Sequence, residues 1–409
     1  MFADKFTGRV AGLLIASLCC SSGPAGAQTV AAQPAATRST ESTPAYRVDA
    51  LFDGEFWRNA RGEQPGRRFL DHGLASLTID GASAFDLPSL KLYGSMRFGN
   101  GQSIDELIGS AQGISNIEAL SGLRPYEAWL EWHYTERSSL KLGLYDVNSE
   151  FDVNVTGALF INPSQAIGPD FSQSGRNGPS IFPTTSLGLR NRHQRGPCAF
   201  LLAALDGVPG DPDYPSRNSV IFGSHDGLLL LAETACARDS TLRVTAGYWR
   251  YTAKFDDLNE ANADGTPVQR SDNHGYYAMV DLPLRSAEHQ TGVNTYVRVG
   301  KANAHLNVIE TYLGAGVVLS GLLPNKQDQL GLAIGIAVAG DPFRDAQQAQ
   351  GLSTRRQERI TELSYLAPIT EWLSLQPDVQ HVQHPGFNSD AETAWVFGLR
   401  FKLATSFSK

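Results

Sequence analysis

Apolar and polar residues alternate along much of this chain. In LKLYGSMRF (90–98), Leu90, Leu92, Met96 and Phe98 oppose Lys91, Tyr93, Ser95 and Arg97. In YEAWLEWHYT (126–135), Tyr126, Leu130, Trp132 and Tyr134 oppose Glu127, Glu131, His133 and Thr135. In QLGLAIGIAVAG, Leu330, Leu332, Ile334, Ile336 and Val338 oppose only glycine and alanine. In AWVFGLRFKL, Trp395, Phe397, Leu399, Phe401 and Leu403 oppose Val396, Gly398, Arg400 and Lys402. A period of two is the signature of β-strands with one dry and one wet face. One stretch departs from it. SIDELIGSAQGISNIEAL (103–120) places Ile104, Leu107, Ile108, Ile114 and Ile117 at helical spacings, interrupted by Gly109 and Gly113, and predicts a short helical insertion in a loop.

Alternation by itself fits a soluble sandwich or solenoid as well as a barrel, because any half-buried sheet shows it. The connections favour the barrel. Short turns such as TERSS (135–139) and ARDS (237–240) alternate with long Gly/Pro/Asp/Asn-rich stretches at 206–226 and 256–274. Short turns on one rim and long loops on the other describe an outer-membrane barrel, whereas compact soluble domains seldom hold several long structureless loops. The expected fold is all-β: a transmembrane antiparallel β-barrel with long extracellular loops. Its last strand aligns Phe401, Leu403, Thr405 and Phe407 on one face, with Ser408 and Lys409 overhanging.

The formal net charge of -8 argues against nucleic acid as a main partner. At the N-terminus, Lys5 and Arg9 precede the apolar run Val10–Leu18, and Ala25-Gly26-Ala27 has the small-x-small pattern of signal-peptidase cleavage. Residues 1–27 therefore read as a signal peptide, 28–45 as a flexible lead-in and 46–409 as the barrel. The residues before Cys19 and Cys20 fit a lipoprotein signal poorly. Beyond this leader no apolar run approaches the ~18 residues of a membrane helix. Cys198 opens CAFLLAALDG and Cys236 nearly closes GLLLLAETACA. Pairing Asp206 with Leu228 in a hairpin also sets Cys198 opposite Cys236, so a cross-strand disulfide is expected; two unpaired buried cysteines are the alternative.

Catalytic chemistry is hard to assemble. Ser224, His225 and Asp226 are adjacent and cannot form a nucleophile–base relay without an elbow motif. His381 and His384 lack a third metal ligand nearby, so the turn reading stands. Glu127 and Glu131 share a predicted inward face, but paired carboxylates there read as wall charges in a wet lumen rather than as a glycosidase pair. No cofactor is expected. The arginines are more telling: Arg97, Arg190, Arg192 and Arg400 fall on polar strand faces, and Arg176 lies in a Gly/Pro loop that could bend inward. A guanidinium offers five fixed donors and can grip vicinal hydroxyls as well as anions.

Five longer motifs add a resemblance: FDGEFWRNARG (52–62), LGLYDVNSEFDVN (142–154), SGRNGPSIFPTTSLGLR (174–190), LAALDGVPGDP (202–212) and WLSLQPDVQHVQHPG (372–386). In order and nearly throughout the mature chain, they resemble the OprB-type carbohydrate-selective porins. The resemblance implies about 16 strands, in-folded loops that narrow the channel, and passive diffusion of sugars across the outer membrane of a Gram-negative bacterium. It points to Asp146, Asn148, Glu150, Arg176, Asn177 and Arg190 at the pore constriction, joined by Arg97 and Glu131 from the polar strand faces. Expected partners are mono- or oligosaccharides, outer-membrane lipids and lipopolysaccharide, the barrel assembly machinery and a homo-oligomer. An outer-membrane barrel enzyme acting on lipid or polysaccharide is the alternative.

Overall fold

The structure, a computed structural model, describes residues 44–215, 226–238, 242–285 and 292–409. The expected signal peptide and nearly all of the lead-in lie outside the described residues, as do Ser224 and His225.

Among the described residues sixteen strands close into one antiparallel barrel, each wall strand pairing with the next along the chain. The first strand, Tyr46–Arg61, pairs with the last, Ala394–Ser408, from Arg47↔Ser408 to Arg61↔Trp395. Closure leaves no row of unpaired edge amides, which a membrane would not tolerate. Both of these strand termini sit at the rim of tight turns, such as the two residues between Thr135 and Ser138 or between Arg195 and Cys198. The long connections gather at the opposite rim.

Burial is inverted relative to a soluble domain, and this decides between barrel and sandwich. Outward residues such as Phe56, Leu142, Leu202, Val297 and Leu332 are exposed, whereas inward Asp53, Glu55, Arg97, Arg190, Arg298, Glu358 and Glu362 are buried. An apolar face left open to the surroundings suits lipid. No helix of the described residues is long and apolar enough to cross a membrane; the strands do so.

The barrel interior is filled by two loop segments, 100–123 and 146–185. Their packing explains the wall sequences. On Gln329–Ala339 the inward positions are glycine and alanine because the loops press there: a Cβ on Gly331 would lie 2.6 Å from Leu159 Cδ2, and one on Gly335 2.6 Å from Gln112 Oε1. On Cys198–Asp206 and Leu228–Arg238 the inward face is largely apolar instead, with Glu233 a buried exception. Leu201, Leu205, Leu229 and Leu231 pack with Val147, Phe151 and Phe171 of the longer segment. Those two strands are therefore dry on both faces.

The structure departs from the expectations in three places. The 103–120 stretch holds a single 3-10 turn, Asp105–Leu107; Gly109 and Gly113 at φ +70° and +74° turn the chain, and its isoleucines are buried against Trp57, Leu70, Ile360 and Val396 of the wall. The 256–274 loop is not structureless, since Phe255–Ala261 and Pro267–Arg270 pair as a hairpin. Tyr126 points inward, not outward: a bulge where Gly94↔Ala128 gives way to Met96↔Pro125 turns both Tyr126 and Glu127 to the lumen, as an extra residue in one strand must. The cysteine expectation holds. Cys198 pairs with Cys236 in the register, and their sulfurs are bonded with Cα atoms 4.0 Å apart.

Candidate functional site

Strands Arg124–Thr135, Ser138–Tyr145 and Ser186–Arg195 lie side by side, and their register sets Glu131 beside Lys141 and Lys141 beside Arg190 on the inward face. The longer in-folded segment leaves this wall at Tyr145. Asp146 caps the 3-10 turn Val147–Ser149 by accepting from Asn148 N at 2.8 Å, and the turn carries Glu150 back over the wall. Arg190 then grips it. Its Nε donates to Glu150 Oε2 at 2.6 Å and its Nη2 to Glu150 Oε1 at 2.7 Å and Glu131 Oε1 at 2.8 Å, while Nη1 donates to Ser139 Oγ at 2.8 Å. Lys141 Nζ lies 3.2 Å from Glu150 Oε1, and Tyr145 donates its hydroxyl to Glu150 Oε2 at 2.6 Å. Burial opposes ionisation of Glu150, but the Lys141 and Arg190 charges together outweigh it and hold the carboxyl down at about 2. At Asp146 burial prevails and raises the carboxyl above its ordinary range, although the Tyr126 hydroxyl donates to it.

A second grip lies five strands further round the barrel. Arg298, on the strand Gly292–Ala302, donates from Nε to Asp152 Oδ1 at 2.9 Å, from Nη2 to Asp152 Oδ2 at 2.7 Å and from Nη1 to Asp170 Oδ1 at 2.6 Å. All three side chains are buried, with Tyr277 and Tyr312 rings 5.3 and 5.5 Å from the guanidinium carbon. Gly168 makes the approach possible, because a Cβ there would fall 1.9 Å from Arg298 Nη1. Glu233 Oε2 accepts from Asp152 N at 2.7 Å and from the Tyr277 hydroxyl at 2.6 Å.

The returning limb of the segment rests on the first wall. Arg97 Nε donates to Pro183 O at 2.8 Å, and its guanidinium carbon sits 5.5 Å from the Phe182 ring. Asn177 donates from Nδ2 to Pro209 O at 2.6 Å. Arg176 is half-exposed, its Nη1 4.0 Å from Asp226 Oδ1.

The shorter segment is held by carboxylates. Glu358 accepts from Ala111 N at 2.7 Å, Gln112 N at 3.0 Å, Ser110 Oγ at 2.9 Å and Gly386 N at 2.7 Å. Glu55 accepts from Ser115 Oγ at 2.7 Å, Trp57 Nε1 at 2.5 Å and Arg400 Nε at 2.5 Å. Within the segment, Glu118 accepts from Ile104 N, Asp105 N and the Ser103 hydroxyl; burial still pushes its carboxyl up to about 7.

Structure thus brings together Glu131, Glu150 and Arg190, with Asp146 and Asn148 shaping the turn between them. It sets Arg176 and Asn177 apart, on the returning limb, and Arg97 on the wall strand Leu90–Gly99 that the limb rests against. Arg190 has no exposed surface, and every guanidinium nitrogen is engaged with the chain itself. Sequence reasoning missed Lys141, Asp152, Asp170, Arg298 and Glu358. Alternation alone turns Lys141 and Arg298 inward, but nothing local says which acids they meet. One further group gathers metal-type ligands: Asp257, Glu260 and His305 offer atoms within 4.8 Å of one another. Asp257 already accepts from Asn259 N, Glu260 N and Arg270 Nε, so the cluster reads as a tie on the loop hairpin.

A family model for the carbohydrate-selective porins, OprB family, matches residues 79–404. The chain belongs to this family. Membership in a porin family leaves the outer-membrane enzyme without support. Porin B of Pseudomonas aeruginosa is 24% identical over 180 residues, a stretch that spans 38% of this chain and 39% of that protein. Among solved structures, the high-pH structure of Pseudomonas putida OprB superposes with a TM-score of 0.78 at 16% identity, covering 88% of this chain and 94% of that one. The outer membrane channel DcaP of Acinetobacter baumannii gives 0.55 at 10% identity, over 88% and 97%. At such identities the likeness is one of fold alone, the closed barrel.

Proposed function

We propose that this OprB-family porin lets sugars diffuse passively across the outer membrane of a Gram-negative bacterium, through a water-filled lumen narrowed by segments 100–123 and 146–185. The observation that carries this reading is the double anchoring of the longer segment, by Arg190 at its root and by Arg298 five strands further round the wall. A loop fixed at two points sets an aperture of constant size, and size is the first filter a passive pore has. Polar side chains that keep exposed surface towards the lumen are Arg176 near the long-loop rim and Lys91, Asp49 and Lys402 near the short-turn rim. Their donors and acceptors replace part of a sugar's hydration as it enters. Binding must stay weak, since a site that held a sugar tightly would block flux. In this reading Asp146, Asn148, Glu150, Glu131 and Arg190 hold the constriction in place, while Arg176, Asn177 and Arg97 shape its returning edge. Small ions share the aqueous path. A homo-oligomer and passage through the barrel assembly machinery fit a protein of this class.

Liposome swelling over a graded series of sugars tests the reading. Influx that falls with sugar size and exceeds that of a similar-sized charged solute is expected; influx no greater than in empty vesicles sinks it.

A further inference from the structure

The first two strands, Tyr46–Arg61 and Gly66–Asp80, place Arg58 directly opposite Arg67. Both side chains point outward, away from the lumen, and both are exposed. Neither makes a side-chain hydrogen bond or ion pair with any described residue, although among the described residues eleven other lysines and arginines form ion pairs. Like charges facing each other across an antiparallel pair are destabilising. A pair kept at such a position, without an acid of its own, suits a polyanionic group from outside the chain. The acid on the same outward row, Asp71, is taken by Asn100 Nδ2 at 3.1 Å.

What lies beneath the pair narrows the class of ligand. Phe56 pairs with Phe69 one outward step below, rings 4.8 Å apart. The array continues through Phe401, Phe52 and Phe98, with successive centroids 6.3, 5.9 and 6.1 Å apart. Gly54 and Gly73 form its floor: a Cβ on either would collide with the ring of Phe401 or Phe98. The arginines stand near the rim that carries the long loops, level with Phe397 and within a few residues of Trp395, where an aromatic belt marks the headgroup layer. Cations at headgroup height above an array of aromatic rings form a bipartite surface, charge above and hydrocarbon below, with Asp71, held by Asn100, beside Gly54 at its margin.

We propose that Arg58 and Arg67 bind the phosphate of an outer-leaflet lipid whose acyl chains lie on the Phe56–Phe69–Phe401 pad. Two exposed guanidinium groups bracket one phosphate more naturally than each other, since arginine matches phosphate oxygens with paired donors. The inference uses only the outward face, so it stands or falls independently of what crosses the lumen.

The test uses the whole barrel in detergent, with bound lipid followed by native mass spectrometry. Phosphatidic acid, dioleoylglycerol of the same chains and inorganic phosphate are titrated separately. Retention of phosphatidic acid, and of neither other probe, is expected. Either single variant, Arg58→Ala or Arg67→Ala, should weaken it about fivefold and the double variant about thirtyfold, from roughly one surface-lipid increment per arginine. Arg58→Lys with Arg67→Lys should restore most of it. Because both side chains are free in the fold, the double variant should migrate as a folded, heat-modifiable barrel with unchanged conductance. Equal retention by wild type and double variant overturns the proposal. So does binding of inorganic phosphate as strong as that of the lipid, or a barrel dimer that disappears in the double variant, which would make this face a contact between copies.

Discussion

The two in-folded segments do the same job with different principal holds, although the longer also gives the amides of Asp152, Ile161 and Asn162 to wall carboxylates. The longer, 146–185, offers carboxylates that wall arginines grip: Glu150 to Arg190, and Asp152 with Asp170 to Arg298. The shorter, 100–123, offers backbone amides and hydroxyls that wall carboxylates accept, chiefly Glu358. The difference teaches where rigidity comes from. Buried ion pairs hold a loop at two or three points and leave a large penalty if one partner is lost. A carboxylate reading several amides distributes the hold over the backbone, and each bond is worth less.

That contrast can be broken most directly at the far anchor. Arg298→Ala leaves Asp152 and Asp170 buried without a cation and should cost about 3–5 kcal/mol. Urea unfolding of the barrel in lipid should show the loss, and single-channel recordings should show a wider, noisier conductance as the loop leaves the wall. Arg190→Ala should cost less, about 2–3 kcal/mol, because Lys141 stays within 3.2 Å of Glu150; the same two measurements rank the pair, and a larger loss at Arg190 than at Arg298 would reverse the ordering. Glu358→Ala strips acceptors from three amides and should cost about 2–3 kcal/mol, while Glu358→Gln keeps one acceptor oxygen and should cost about half of that. An equal cost for the two would mean that packing, not hydrogen bonding, holds the shorter segment.

The smallest effect is also the sharpest, because its sign differs between the segments. Glu150 is held at about 2, below its ordinary 4.5, so its contribution is full above about 4.5 and lost as the pH falls toward 2. Glu118 is raised to about 7, so its folded environment favours the protonated form. Its contribution is full below about 4.5 and lost as the pH rises through 7. Amide exchange should therefore show the root of 146–185 loosening in acid and the 103–118 turn loosening toward neutral pH. Glu118→Gln should remove the second dependence and leave the first.

How much of this could be read from residues is uneven for physical reasons. The wall was legible because a strand with one lipid face and one wet face must alternate, and LKLYGSMRF or AWVFGLRFKL could hardly do otherwise. Cys198 and Cys236 followed from one hairpin register, an inference within a single strand pair. Tyr126 was missed because a bulge reverses the parity of a strand without changing its composition. The 103–120 stretch was misread because its isoleucines are buried by the barrel wall, and apolar residues enclosed on several sides need no helical face. In the site, the motif pointed to Asp146, Glu150 and Arg190, and Glu150 meets Arg190 in the structure; the expectation that arginine donors face the solute does not describe Arg190, whose every guanidinium nitrogen is turned to the chain.

By itself the sequence determined the architecture: alternation, turn lengths and a paired-cysteine register are local or nearest-neighbour properties, and a closed antiparallel barrel is built only from such neighbours. Tertiary structure alone decided how the interior is filled. The contacts that tie the in-folded segments to the wall join Arg298 to Asp152 and Asp170, Glu358 to Ala111 and Arg97 to Pro183, over long separations in the chain. No periodicity encodes which wall a loop will lean on. That choice is made when the barrel closes and the loop's buried polar groups must find partners in whatever interior remains.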